Sequence, residues 1–100
     1  MFFNNFKKIV IKIGSSTLVD KTGKPKKIWL EDFAKDIKFL IGKKKQVVIV
    51  SSGAIAMGCE YLKINKKNLK VDESQAVASI GQIKLMDFYK KIFDKNKIKI

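Results

Sequence analysis

The stretch QVVIVSSGAIAMG, Gln46 to Gly58, contains the change of pattern that decides the fold. After the glutamine come four β-branched residues, Val47 to Val50, which favour a strand. A short apolar run without polar alternation reads as a strand covered on both faces, as in a parallel sheet. Ser51, Ser52 and Gly53 stop it, and a short helical segment is expected from about Ala54 to Leu62. The junction reads either as a cap and turn that serve packing, or as a place built to hold a ligand.

Working outward, KIVIKI (Lys8 to Ile13) alternates and is β-branched, so it reads as a first strand ended by Gly14, Ser15 and Ser16. From Ser15 to Lys27 the chain is polar and turn-rich, with Gly23 and Pro25 as breakers. Leu30, Phe33, Ala34, Ile37, Leu40 and Ile41 then share one helical face. Acidic residues in the first turn of that helix, lysines past its end and Gly42 as its stop suit the helix dipole and capping preferences. Beyond the lysine-rich loop Lys63 to Lys70, Asp72 and Gln75 resemble a capping box for a long helix from about Glu73 to Phe93. Val77, Ile80, Ile83, Leu85, Met86, Phe88, Tyr89, Ile92 and Phe93 cover more than one stripe of it, so it wants neighbours on more than one side. Lys97 to Ile100, KIKI, reads as the start of a third strand. Strand, helix, strand, helix, strand is the order of a parallel sheet with crossover helices. Because domains rarely stop inside a strand, residues 1–100 read as one incomplete domain.

Composition bounds the possibilities. A chain of 100 residues with 46% apolar and one proline has room for one globular core, and intrinsic disorder does not fit it. The net charge of +13 suggests a polyanionic partner, but all 22 basic residues are scattered lysines. The forked guanidinium that reads guanine edges is absent, which argues against nucleic acid. With one cysteine and no histidine, there is neither an internal disulfide nor a His-containing metal site. Cys59 reads as a packed thiol, Trp29 and the phenylalanines as core, and Asp87 with Lys91 as a surface pair on a helix. MFFNNFKK is too short and polar for a signal peptide, and no apolar run approaches the ~18 residues of a membrane span, so a cytoplasmic protein with no membrane partner is expected.

In an open parallel sheet, ligands bind at the carboxyl ends of the strands. Gly14-Ser15-Ser16 and Ser51-Ser52-Gly53-Ala54 would both open on that edge, and their small side chains let a ligand approach the backbone. The second loop leads into a helix, whose first amides favour an anion. Lys12, two residues before Gly14, would bring a positive charge to the same place. Each part has an ordinary reading too: a solvated strand lysine, a serine cap, a glycine turn. Neither loop matches the phosphate-loop or dinucleotide fingerprints.

IVIKIGSSTLVD, VVIVSSGAIAMG and QAVASIGQIKLMDFYKKIF, in that order, closely resemble the N-terminal part of the glutamate 5-kinases, a branch of the amino acid kinase family. The resemblance runs from about Lys8 to the end of the chain. It implies a three-layer αβα sandwich with a mainly parallel sheet, of which this is the N-terminal part. It also implies phosphoryl transfer from ATP to the side-chain carboxylate of L-glutamate, giving L-glutamyl 5-phosphate, the first step of proline synthesis. By resemblance, Lys12 is the catalytic residue and, with Gly14 and Ser15, contacts the ATP phosphates; Ser52, Gly53 and Ala54 bind the glutamate. Mg2+ would travel with the nucleotide, no protein ligand for a metal is expected, and the full-length protein would be a homo-oligomer. The departure from the family is length: the segments that carry further substrate contacts, a second lysine and the nucleotide pocket are not among these residues, so these residues alone are expected to be inactive. The alternatives are a kinase for another small acid, and a truncated non-catalytic module that binds an anionic partner.

Overall fold

The computed structural model describes residues 7–100. The residues whose reading argued against a signal peptide lie for the most part outside the described ones. Two strands, β1 (Lys8–Ile13) and β2 (Gln46–Ser51), pair in parallel, with Lys8 opposite Gln46 and Ile13 opposite Ser51. A parallel pair needs a crossover, and α1 (Ser15–Leu18) and α2 (Lys27–Gly42) occupy it. Then come α3 (Ala54–Leu62), a 3-10 turn at Lys66–Asn68, and α4 (Val71–Lys95). The α/β architecture and its parallel sheet are those the pattern predicts.

The strand period of two sorts the side chains into two rows. Ile9, Ile11 and Ile13 of β1, with Val47, Ile49 and Ser51 of β2, form the inner row against α2 and α4. Val10, Val48 and Val50 form an outer row that is 58%, 40% and 48% exposed, flanked by Lys8 and Lys12. The expectation that QVVIV is covered on both faces is therefore corrected: in the described residues the helices lie on one face. The core is Leu18, Leu30, Ala34, Ile37, Leu85, Tyr89, Ile92, Phe93 and their neighbours. Leu30, Ala34 and Ile37 are the buried stripe of α2, whereas Ile41 and Phe39 stay largely exposed, so not every phenylalanine is core. Cys59 is the buried thiol expected, and Asp87 pairs with Lys91 at 3.1 Å on the surface of α4.

Several boundaries differ from the expectation. The helix α2 starts at Lys27, three residues before Leu30, so its first turn holds no acid and Glu31 and Asp32 fall in the next. Gly42 is its last helical residue, and the chain turns at Lys44, φ 61°. The box predicted on Asp72 and Gln75 is not made. Glu73 instead accepts the Lys70 N–H at 3.0 Å, while Asp72 accepts that of Glu73. The buried residues of α4 (Val77, Gly81, Leu85, Tyr89, Ile92, Phe93) follow a single stripe, and Ile83 on another side is 70% exposed. Lys97 to Ile100 form no strand: Lys97 turns at φ 59°, leaving too few residues for a ladder, and Ile98 tucks its side chain into the core instead.

The contact between α3 and α4 is unusually close. A β-carbon at Gly81 would overlap the Ala54 carbonyl oxygen and come within 2.8 Å of the Gly58 nitrogen. One at Gly58 would overlap the Val77 carbonyl. Two glycines facing each other across the crossing therefore let the helix backbones touch. This contact fixes the start of α3.

Candidate functional site

Ser52 donates its N–H to the Ile13 carbonyl at 2.9 Å, continuing the parallel ladder one step past β2. Gly14 and Ser52 thus leave the sheet side by side, and the two loops open on one edge as expected. Lys12 is opposite Val50, so it shares the outer row with Val50 and, by the same alternation, with Ser52 two residues on. Lys12 and Ser52 are both exposed. They are separated by one pleat repeat along the sheet, about 7 Å, and one strand spacing of about 4.8 Å. An extended lysine side chain spans such a gap. Among the described residues nothing hydrogen-bonds to or forms an ion pair with the Lys12 ammonium, while its backbone belongs to the ladder.

The two loops obtain their shapes differently. Gly14 has ordinary extended backbone, φ −75°, and an added side chain would meet nothing within 4 Å. Its missing β-carbon leaves open space rather than relieving strain. Gly53 adopts φ 114°, in the left-handed region that L side chains rarely enter, and it caps α3 without any side-chain hydrogen bond. The serines are therefore not the caps of α3: Gly53 O takes the Met57 N–H at 2.9 Å, while Ser51 Oγ turns back to the Ser52 carbonyl at 3.0 Å. The serine hydroxyl of Ser52 is left for solvent or a ligand.

Ser15 begins α1, a feature that a polar, turn-rich reading misses. Leu18 in that turn is fully buried, beside Gly53, and it anchors the first loop under the second. The chain then doubles back: Val19 bridges Pro25, and Lys26 N–H reaches the Leu18 carbonyl at 2.7 Å. Asp20 holds the bend, accepting from Thr22 N–H at 2.8 Å, Thr22 Oγ1 at 2.6 Å and Lys24 N–H at 3.1 Å. These bonds, the Thr22 hydroxyl foremost, favour the ionised carboxylate and hold its pKa below the ordinary 3.8.

The arrangement offers one cation, a hydroxyl and the start of a helix at an open strand edge. That set suits an anion approached through its charge and positioned by backbone amides. A cavity of about 350 Å3 lies on the other side of the sheet, lined by Val47, Ile49, Ser51, Leu85 and Tyr89. Neither Lys12, Gly14 nor Ser52 lines it. Tyr89 is the residue that sequence reading placed merely among apolar positions; its hydroxyl donates to Ser51 Oγ at 2.8 Å. Burial pushes the Tyr89 phenol above its ordinary 10.0, the Ser51 hydrogen bond acting in the opposite sense.

Comparison with known proteins bears on the same residues. The chain is 60% identical over 100 residues to the glutamate 5-kinase of Pelagibacter ubique (strain HTCC1062), a match that covers all of this chain and 27% of that protein. It is 44% identical over 95 residues to the glutamate 5-kinase of Brucella anthropi, covering 95% of this chain and 25% of that one. The corresponding enzyme of Nitrobacter hamburgensis is 43% identical over 93 residues, 92% of this chain and 24% of its own length. The chain thus spans about a quarter of the length of these curated relatives. The shared pattern of the amino acid kinase family extends over residues 7–100, which include both strands, both loops and the helices behind them, and by that match the chain belongs to the amino acid kinase family.

Proposed function

We propose that these residues supply the N-terminal part of an ATP-dependent kinase that phosphorylates the side-chain carboxylate of L-glutamate, giving L-glutamyl 5-phosphate for proline synthesis in the cytoplasm. The observation that carries the reading is the placement of Lys12 beside the Ser52-Gly53-Ala54 loop on the carboxyl edge of a parallel strand pair. The names of the relatives support it. In this reading a carboxylate oxygen of glutamate attacks the γ-phosphorus, the bond to the β-phosphate oxygen breaks, and ADP leaves. Such a transfer needs positioning and charge neutralisation more than covalent help. Lys12 supplies positive charge to the phosphates, flanked by Gly14 and Ser15, while Ser52, Gly53 and Ala54 hold the acceptor.

Mg2+ would accompany the nucleotide. Among the described residues no group of three or more acidic, histidine or cysteine side chains could hold a metal, so no step here is assigned to one. Among the described residues no helix is long and apolar enough to cross a membrane. A homo-oligomer is proposed for the full-length protein, with glutamate and ATP as its small-molecule partners.

The test is a chimera in which this chain replaces the matching part of the Pelagibacter ubique enzyme. Glutamate-dependent ADP formation, with aspartate and acetylglutamate as poor acceptors, is the expected result. A well-folded chimera that hydrolyses or transfers nothing with glutamate would refute the reading.

A further inference from the structure

Tyr89 sits in the buried stripe of α4, 5% exposed, with its ring edge-on to Phe93 at 5.9 Å between centroids. Its hydroxyl reaches the end of β2 and donates to Ser51 Oγ at 2.8 Å, and Ser51 Oγ donates to the Ser52 carbonyl at 3.0 Å. Two hydrogen bonds thus run from a packed helix position to the backbone of the second loop. The opposite end of the same residue is also fixed, since Ser52 N–H is held by the Ile13 carbonyl.

In a trans peptide the carbonyl and the following N–H point in opposite directions. Holding the Ser52 carbonyl toward Ser51 therefore aims the Gly53 N–H the other way. Among the described residues no acceptor takes that N–H. Gly53, at φ 114°, sits where the plane of this peptide decides how the chain enters α3. Without the Ser51 bond, nothing else described here holds the Ser52 carbonyl.

We propose that Tyr89 is a positioning residue for the substrate loop: through Ser51 it sets the Ser52–Gly53 peptide, and with it the Gly53 N–H offered to a carboxylate of the amino-acid substrate. The proposal rests on the glutamate reading of this loop. Tyr89 touches no substrate; it acts through Ser51.

Tyr89→Phe keeps the ring and its packing and removes one hydroxyl, so a purely structural role would leave it silent. In the 15N-labelled chain the expected result is a melt that stays cooperative, with exchange of the Ser52 amide, which the Ile13 carbonyl protects, faster by about three- to tenfold, the worth of one net hydrogen bond. In the 15N-labelled chimera described above, L-glutamate, followed by the shifts of Ser52, Gly53 and Ala54, should bind the Tyr89→Phe variant more weakly by a similar factor. Ser51→Ala should match it, the double variant should be no worse than either single one, and Ser51→Thr should restore the wild-type values. Should Tyr89→Phe lose its fold, the Ser51 pair, at a strand end, reads the same bond. Exchange and affinity equal to wild type in Tyr89→Phe and Ser51→Ala overturn the proposal and leave the glutamate reading standing. If the loop amides of the chimera without these substitutions ignore glutamate, the glutamate reading falls, and the role of Tyr89 in substrate binding falls with it.

Discussion

Lys12 is exposed on a strand, which by itself is the commonest situation a lysine meets. Its register sets it apart: the partner of Lys12 is Val50, and two residues on lies Ser52. In the chimera described above, Lys12→Ala should lower turnover by about 10²- to 10³-fold, the scale of one lost preorganised donor, in a steady-state assay of ADP release. Near-normal turnover would remove Lys12 from the mechanism. A second prediction concerns Asp20, whose pKa is depressed by the Thr22 and Lys24 bonds. A depressed carboxylate stabilises the fold above its unfolded pKa, and that contribution disappears as pH falls through the lower folded value. Carboxyl NMR should show the Asp20 midpoint below 3.8, and Asp20→Asn should remove this part of the acid dependence. At this scale the sequence disclosed which small and charged residues gather on one strand edge, because loops after β-branched runs are conspicuous. It did not disclose Leu18 or the Tyr89 hydroxyl, because a buried leucine in a polar stretch and a polar tip on an apolar stripe contribute nothing to periodicity.

The elements themselves were largely legible, since α3 spans Ala54–Leu62 as its pattern predicts and α4 runs over the expected long segment. Their ends were less so. Lys44, Lys63 and Lys97 take left-handed turns at φ 61°, 58° and 59°, closing α2, α3 and α4 where glycine is the usual residue. A reader of the sequence looks for glycine there and is drawn to Gly42, which is helical. The glycines that matter to packing are inside helices. Gly81→Ala puts a methyl group onto the Ala54 carbonyl, which is backbone and cannot swing aside. It should cost at least the roughly 1–3 kcal/mol of an overpacked core, read by urea unfolding, and it should push the start of α3 away from the loop. A stability equal to wild type would mean that the crossing opens without penalty.

At the scale of the molecule, the fold has one dressed side and one bare one. The radius of gyration, 15.1 Å, exceeds the about 13 Å of a compact domain of this size, and the longest extent is 46 Å. A helix of 25 residues, about 37 Å long, accounts for much of that length. Sequence alone indicated that β2 and α4 want cover on more than one side; it had no means of showing that the described residues provide it on one. The isolated chain, a quarter of its relatives in length, is expected to form no ADP from ATP and glutamate above background in a coupled assay. The outer row gives the physical reason. Val10, Val48 and Val50 surround Lys12 with apolar surface that is wet. In water, unit charges 4 Å apart attract by about 1 kcal/mol, and at an effective dielectric of 20 by about 4 kcal/mol. A layer laid over those valines would therefore change the solvent of the lysine as well as hide the valines, and the same ammonium would grip a phosphate several times more firmly.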